Sequence, residues 1–234
     1  MATQSTFAKD VQANISTRKG TITDIPFLAR IEYEAGLPPM NQCLWDDFLQ
    51  GTGTDSLRFI EAMLEADASN WGGVSDFLIV EEDGKPVAAA AGFAPNLEDY
   101  LPLRLSRLDA IAQILGWSAE TTAEFRDRYE AAFRGDRQPD FLKPQAPWII
   151  ENLAVLPEAR RRGLSKVLLR ALLEEGRSWQ HSHAGIMVLN GNDLAQHAYE
   201  SVGFKPYQAF YADYFEGEFV GVTKFRLNLN PDEA

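Results

Sequence analysis

The C-terminal half of the chain alternates strand-like and helix-like segments, and this order restricts the folds that it can adopt. Short apolar runs are typical of buried strands, and the segments between them have the apolar spacing of helices. The predicted elements are, in order, strand Trp148–Leu156, helix Gly163–Gln180, strand Gly185–Leu189, helix Asp193–Val202, and two strands around Tyr207–Tyr211 and Phe219–Leu229. Because strands separated by helices need those helices on the sheet faces, we expect a mixed sheet of the α/β (α+β) class.

The N-terminal half adds helices and a hairpin to this pattern. Residues Ile15–Arg18 form a short candidate strand, and Thr23–Pro26 combines a capping residue with a proline in the first helical turn. The runs Phe77–Glu81 and Pro86–Phe93 flank an Asp-Gly pair, which predicts a β-hairpin. Helices are predicted with the buried stripe Ile25, Leu28, Ala29 and Ile31, and around Trp45–Leu49 and Leu57–Ala66.

Residues 97–146 have helical periodicity and fall outside this alternation. Their apolar stripes are Leu101, Leu105, Leu108, Ile111, Ile114 and Leu115, then Phe125, Tyr129 and Phe133. We therefore expect a single domain over residues 1–234, in which residues 97–146 form an inserted helical lobe. Residues 1–14 are expected to be a mobile N-terminal lead-in.

Charge and cysteine content exclude several classes of function. The chain has 22 Lys and Arg against 34 Asp and Glu, a formal net charge of −12, which disfavours binding to nucleic acid or to an anionic membrane. Its single cysteine, Cys43, cannot form an internal disulfide. No apolar run reaches the roughly 20 residues that span a bilayer. We expect a cytoplasmic protein.

The segment Arg160–Ser165 has the features of an anion site. Three arginines precede Gly163, and the helix that follows has unpaired N–H groups and a positive dipole end at its N-terminus. Gly163 lets a ligand approach the backbone, because no side chain intervenes. A Walker A loop is excluded, since position 158 is glutamate and Leu164 follows the glycine. The alternative is a solvated basic turn.

Two motifs resemble the GNAT (GCN5-related) N-acetyltransferase superfamily. Val155-x-Pro157-x-x-Arg160-x-x-Gly163-x-Ser165 looks like its acyl-coenzyme A pyrophosphate loop, and Asn192–Phe204 resembles its C-terminal signature. The resemblance covers about Trp148–Phe204, and Ser165 departs from it by replacing the usual glycine or alanine. It implies a mostly antiparallel central sheet flanked by helices, acetyl-CoA as co-substrate and no metal. The cofactor-binding residues that it implies are Leu153, Val155, Arg160, Arg161, Arg162, Gly163, Leu164, Ser165, Lys166, Asn192 and Tyr199.

The resemblance also indicates catalytic residues. Tyr199 is expected to protonate the departing thiolate, the alternative being a half-buried packing tyrosine. A backbone N–H near Leu153–Leu156, at a strand bulge, would polarise the thioester carbonyl. Glu151 lies between apolar residues in a strand, where an unpaired carboxylate is costly, and is the candidate general base. An ion pair between Glu151 and a nearby arginine, with water as the base, is the alternative.

The implied function is an N-acetyltransferase that moves an acetyl group from acetyl-CoA to a primary amine of a small molecule or peptide by direct attack on the thioester. The alternative is a non-catalytic acyl-CoA-binding sensor or interaction module. The acceptor would bind the variable segments 36–70 and 96–147, whose acidic residues favour a cationic amine. The expected assembly is a monomer or homodimer. His181, His183 and His197 have no convergent ligands and are interpreted as structural or exposed.

Overall fold

The computed structural model of the protein describes residues 14–133, 139–217 and 219–230. Apart from Asn14, the predicted lead-in lies outside these residues. The strands are β1 (Ile15–Lys19), β2 (Phe77–Glu82), β3 (Lys85–Phe93), β4 (Trp148–Val155), β5 (His183–Leu189), β6 (Lys205–Tyr211) and β7 (Gly221–Asn228). The α-helices are α1 (Ile25–Gly36), α2 (Leu44–Phe48), α3 (Ser56–Glu65), α4 (Leu108–Leu115), α5 (Ala119–Phe133), α6 (Leu164–Ser178) and α7 (Asp193–Glu200).

The strands form one seven-stranded sheet in the order β1-β2-β3-β4-β5-β7-β6. All neighbours are antiparallel except β4 and β5, which run parallel, so the predicted mixed, mostly antiparallel sheet is confirmed. The β2–β3 hairpin turns at Asp83 and Gly84, whose φ angles of 51° and 76° are the left-handed values that such a two-residue turn requires.

Each face of the sheet carries its own hydrophobic core. On the α1 face, helices α1 to α5 cover Ala89 and Ala91 of β3 and Ile149 of β4. On the α6 face, α6 packs against the sheet through leucines, and α7 lies beside it. The buried leucines of α6 are Leu168, Leu169, Leu172 and Leu173, whereas Val167 is 37% exposed.

The sheet forks between its two parallel strands. β4 and β5 pair over three residues only: residues 148–150 of β4 lie beside residues 184–186 of β5. Beyond that point β4 stays paired with β3 as far as Val155, and β5 stays paired with β7 as far as Leu189. The two halves of the sheet therefore separate, and an opening lies between the C-terminal ends of β4 and β5.

A bulge in β4 lies at the start of this fork. Glu151 pairs with Ala91 and Ala154 with Ala89, so two residues of β4 lie opposite the single residue Ala90 of β3. The two bulge residues are Asn152 and Leu153, and Asn152 has a φ of 54°. A bulge bends its strand and re-aims the side chains next to it. The predicted bulge is thus present, beginning one residue before the expected range.

The inserted segment packs its apolar stripes on α2 and α3. Its aromatic residues join those of α2 and α3 in one cluster, in which the ring centroids of Phe59 and Phe125 are 5.1 Å apart and those of Phe48 and Tyr129 are 5.6 Å apart. Tyr129 also accepts a 2.8 Å hydrogen bond from the Leu103 backbone. The segment is therefore built into the α1 face core. Across the described ranges of the chain, no helix is both long and apolar enough to cross a membrane.

Candidate active site

The loop before α6 presents free backbone donors. Among the described residues, the N–H groups of Arg161 to Ser165 have no hydrogen-bond acceptor, whereas Lys166 N–H donates to Gly163 O at 3.0 Å. Gly163 has a φ of 78°, and a Cβ added there would have no heavy atom within 4 Å. Leu164 is buried in the α6 face core and fixes the helix start. This arrangement fits an anionic group such as a diphosphate.

The three arginines of this loop have different surroundings. Arg160 donates to Val155 O at 3.0 Å and pairs with Glu34 at 3.0 Å. Arg162 pairs with Glu82 and donates to Glu158 O at 3.1 Å. The exposed Arg161 forms no such contact with any described residue, and its φ is 64°. Arg161 is therefore the arginine whose guanidinium can reach a ligand without first breaking an ion pair.

Helix α7, which carries the second motif, packs against α6. Asn192 is its N-cap, and its side-chain oxygen accepts from Ala195 N–H at 3.2 Å. Tyr199 is 6% exposed and packs its ring against Phe204 and Phe225, in the same core as Leu164. Burial raises the pKa of Tyr199 above its usual value, and the charge of Glu151 raises it further, so the phenol stays protonated at neutral pH.

One backbone donor of the predicted range faces the fork. Leu156 N–H donates to Val87 O at 2.9 Å and is not available to a ligand. Bonded and non-bonded residues alternate in an antiparallel ladder, so the N–H and C=O of the preceding residue, Val155, point away from β3. Val155 O indeed accepts from Arg160 instead. The Val155 N–H therefore points towards β5, into the opening.

Glu151 lies on the α1 face of β4, just before the bulge. It is 9% exposed, and its Oε1 accepts a 3.2 Å hydrogen bond from the Tyr100 hydroxyl. Burial raises the pKa of Glu151 to about 8; Tyr100 and the charge of Lys224 oppose this rise, and the charge of Glu32 adds to it. A carboxyl with such a pKa can take up and release a proton near neutral pH. Within the described ranges, Glu151 forms no ion pair with an arginine, the alternative that the sequence left open, and Arg160 and Arg162 pair with Glu34 and Glu82.

Three further ionisable residues of this region were not found from the sequence: Glu32, Lys224 and Tyr100. Glu32 Oε2 is buried without a hydrogen-bond partner among the described residues, and burial raises the pKa of Glu32 to about 7. Glu32 follows Leu28 by four residues and so continues the buried stripe of α1, which is the signal that would have found it.

Lys224 is a buried lysine of β7 on the same face as Glu151. It is 2% exposed, and its Nζ donates to Asp140 O at 3.1 Å and Lys143 O at 2.6 Å. Burial lowers the pKa of Lys224 to about 8, and the charge of Glu151 opposes that change. Lys224 follows the apolar Val222 by two positions in β7 and so shares its face of the strand, which is the one sequence signal that could have found it. Tyr100 had no local signal, because only the fold brings it to Glu151.

The histidines do not converge on a site. His181 stacks on Trp148 with ring centroids 5.4 Å apart, His183 contacts Ser182, and His197 contacts the backbone of Asp193. In the part of the chain that the structure describes, no three His, Cys, Asp or Glu side chains are placed to hold a metal ion.

The fold is similar to that of solved structures named as acetyltransferases or putative acetyltransferases. YncA of Salmonella typhimurium, solved with its cofactor acetyl-CoA, has a TM-score of 0.52 to this chain at 16% identity, covering 94% of this chain and 96% of that one. An N-acetyltransferase from Staphylococcus aureus Mu50 has a TM-score of 0.56 at 17% identity, covering 91% and 100%. A ribosomal-protein-alanine N-acetyltransferase from Brucella melitensis has a TM-score of 0.51 at 16% identity, covering 91% and 99%.

The family of the protein is shown by its sequence. The sequence model of the acetyltransferase (GNAT) family matches residues 38–204, more than half of the chain. The protein therefore belongs to the GNAT acetyltransferase family, and the resemblance noted in its two motifs is confirmed. Among curated proteins, no sequence is similar enough to count as a relative of this chain.

Proposed function

We propose that the protein transfers an acetyl group from acetyl-CoA to a primary amine of a small molecule or peptide, by direct attack of the amine on the thioester. One observation carries the proposal: the free amides of Arg161 to Ser165 lie next to the fork between β4 and β5. A diphosphate bound to these amides places the arm of the cofactor at the opening. There the backbone groups of β4 and β5 no longer form hydrogen bonds with each other, so they are free to bind the cofactor.

The two proposed catalytic side chains belong to opposite faces of the sheet. Glu151 belongs to the α1 face and Tyr199 to the α6 face core. In the transfer, a nitrogen–carbon bond forms, the carbon–sulfur bond breaks, the amine loses a proton and the thiolate gains one. Glu151, in its ionised form, accepts the amine proton, directly or through water, and the Tyr199 hydroxyl donates to the sulfur.

Backbone groups supply the remaining polarisation and binding. The Val155 N–H donates towards the thioester oxygen, where negative charge develops. The Arg161 guanidinium adds a charge-assisted contact to the diphosphate. Gly163, Leu164 and Ser165 contribute their amides, and Asn192 fixes the start of α7.

The acceptor is proposed to approach from the α1 face, where the ionisable groups converge. Glu32, Glu151 and Tyr100 lie there within the core formed by α1 and the inserted segment. Two carboxyls on this side favour an amine that arrives as a cation, because its charge lowers the cost of ionising them. Polyamines, aminoglycosides and peptide amines are the candidate classes.

The test is a screen of primary amines with acetyl-CoA that follows the release of free thiol. We expect release with at least one cationic amine, and a drop in kcat of roughly 100-fold in Tyr199→Phe, at the lower end of the range of general acid catalysis. Tyr207→Phe is the control, since Tyr207 is an exposed tyrosine of β6. Acetyl-CoA binding without thiol release for any amine would instead support the non-catalytic sensor.

A further inference from the structure

The segment that carries Tyr100 is fixed to the body of the protein on both sides. Asn70 N–H donates to Pro102 O at 3.0 Å, and Arg104 N–H donates to Ala68 O at 2.8 Å. The Tyr129 hydroxyl of α5 bonds both backbone groups of Leu103, at 2.8 and 3.3 Å. Because its neighbours are anchored in this way, the position of Tyr100 is determined by the fold of the inserted segment.

Trp71 connects Tyr100 to the bulge in β4. The Trp71 indole N–H donates to Tyr100 O at 3.3 Å, and the two ring centroids are 6.2 Å apart. The Trp71 carbonyl accepts from the Asn152 side chain at 3.1 Å. Asn152 is the bulge residue that directly follows Glu151. The backbone beside Glu151 and the backbone of Tyr100 are thus held by the same tryptophan.

The Tyr100 hydroxyl completes this arrangement by donating to Glu151 Oε1 at 3.2 Å. Both side chains are buried, with Tyr100 3% and Glu151 9% exposed. We propose that Tyr100 is a positioning residue: the inserted segment uses its hydroxyl to hold the carboxyl of Glu151 in place and to favour the ionised form of that carboxyl. The inference rests on the proposed role of Glu151 as the base.

The direction of the effect follows from the chemistry of the contact. A hydroxyl can donate to a carboxylate, so it favours the charged form and lowers the pKa of Glu151. The other titratable groups near Glu151 come from three elements: Glu32 of α1 and Lys224 of β7 act on it, and Tyr199 of α7 is itself affected by its charge. Tyr100→Phe leaves all of them in place and removes one donor. The carboxyl then holds its proton to a higher pH.

The experiment measures kcat/KM against pH for the full chain and for Tyr100→Phe, with the amine found in the screen. We expect the midpoint of the rise of kcat/KM with pH to move up by about one pH unit in Tyr100→Phe. At pH 7 the kcat/KM of the variant should therefore be about tenfold lower than that of the wild type, and it should approach the wild-type value above pH 9. Tyr207→Phe is the control: it removes the hydroxyl of an exposed tyrosine of β6, outside the segment that positions Tyr100.

A second readout separates this inference from the proposed function. The titration of the Glu151 carboxyl is followed by carbon NMR on labelled protein, with Glu151→Gln to assign the signal. An upward shift of its midpoint in Tyr100→Phe, and none in Tyr207→Phe, supports the inference even if no amine is acetylated. An unchanged midpoint in Tyr100→Phe overturns it, even if the wild-type protein is an active acetyltransferase.

Discussion

The α6 face and the α1 face of the sheet differ in the groups that they present to the fork. The α6 face offers backbone amides at a helix start, free among the described residues, next to an exposed arginine. The α1 face offers buried carboxyls and a tyrosine inside an aromatic core. The α6 face suits a charged ligand that arrives from solvent, because folding has already placed the backbone amides that bind it. The α1 face suits proton transfer, because burial moves the pKa values of Glu32 and Glu151 towards neutrality.

The largest effect is expected on the α1 face, from Glu151→Gln. The amide keeps the size of the side chain and can still accept from Tyr100, but it cannot take a proton from the amine. We expect kcat to fall by about 100-fold or more, with little change in KM for acetyl-CoA. Measured against pH, the wild-type rate should rise through about pH 8 as Glu151 loses its proton, and the variant should lack that rise. If Glu151→Gln keeps the wild-type rate and the wild-type dependence of the rate on pH, water and not Glu151 is the base.

The two faces also differ in how far sequence alone predicts them. The Arg160–Ser165 segment is local: the glycine, the arginines and the helix start are adjacent in the chain, so their spacing alone led to the hypothesis of an anion site. The α1 face site is assembled from residues far apart in sequence, since Glu32, Tyr100, Glu151 and Lys224 come from four segments. Glu151 could be found because a carboxylate in an apolar strand is costly. Tyr100 could not, because its contact depends on how the inserted segment is anchored.

The order of the strands and helices was predictable for a similar reason. The alternating apolar runs from Trp148 onwards specified a mixed sheet, and the Asp83-Gly84 turn specified a hairpin. The extent of pairing between β4 and β5 was not predictable, because the fork depends on where the ladder ends rather than on either strand. The pairing of Arg160 with Glu34 likewise required the fold, since 126 positions separate the two residues.

An intermediate effect is expected on the α6 face, from Gly163→Ala. The added methyl points into open space in front of the free amides, so it keeps a phosphate from close approach. We expect KM for acetyl-CoA to rise by about three- to tenfold, while the positive φ costs roughly 1 kcal/mol of stability. Gly116→Ala is the matched control, because Gly116 has a φ of 69°, equally open space and a position at the end of α4. Equal changes in KM in the two variants would contradict a diphosphate site at Gly163.

The smallest effect on activity is expected from Glu32→Gln, and it tests whether the α1 face carboxyls act on one another. The charge of Glu32 raises the pKa of Glu151, so its removal should lower the midpoint of the rate profile by a few tenths of a pH unit, the opposite direction to Tyr100→Phe. Stability gives a second measure. The folded-state pKa of Glu32, about 7, lies above its ordinary value of 4.5, so the folded protein holds this proton more tightly than the unfolded chain. Its contribution to stability is therefore complete below about pH 4.5 and is lost as the pH rises towards 7.

Glutamine does not ionise, so Glu32→Gln does not lose stability as the pH rises. In urea unfolding, the free energy of unfolding of the variant should exceed that of the wild type by about 1–2 kcal/mol at pH 8, and this difference should narrow towards pH 4.5. Glu124→Gln, which removes one negative charge from an exposed position on α5, is the control for net charge. If both variants change the free energy of unfolding equally at every pH, the buried Oε2 of Glu32 carries no cost. The protonation difference between the α1 face and the α6 face would then rest on Glu151 alone, and not on two carboxyls that act on one another.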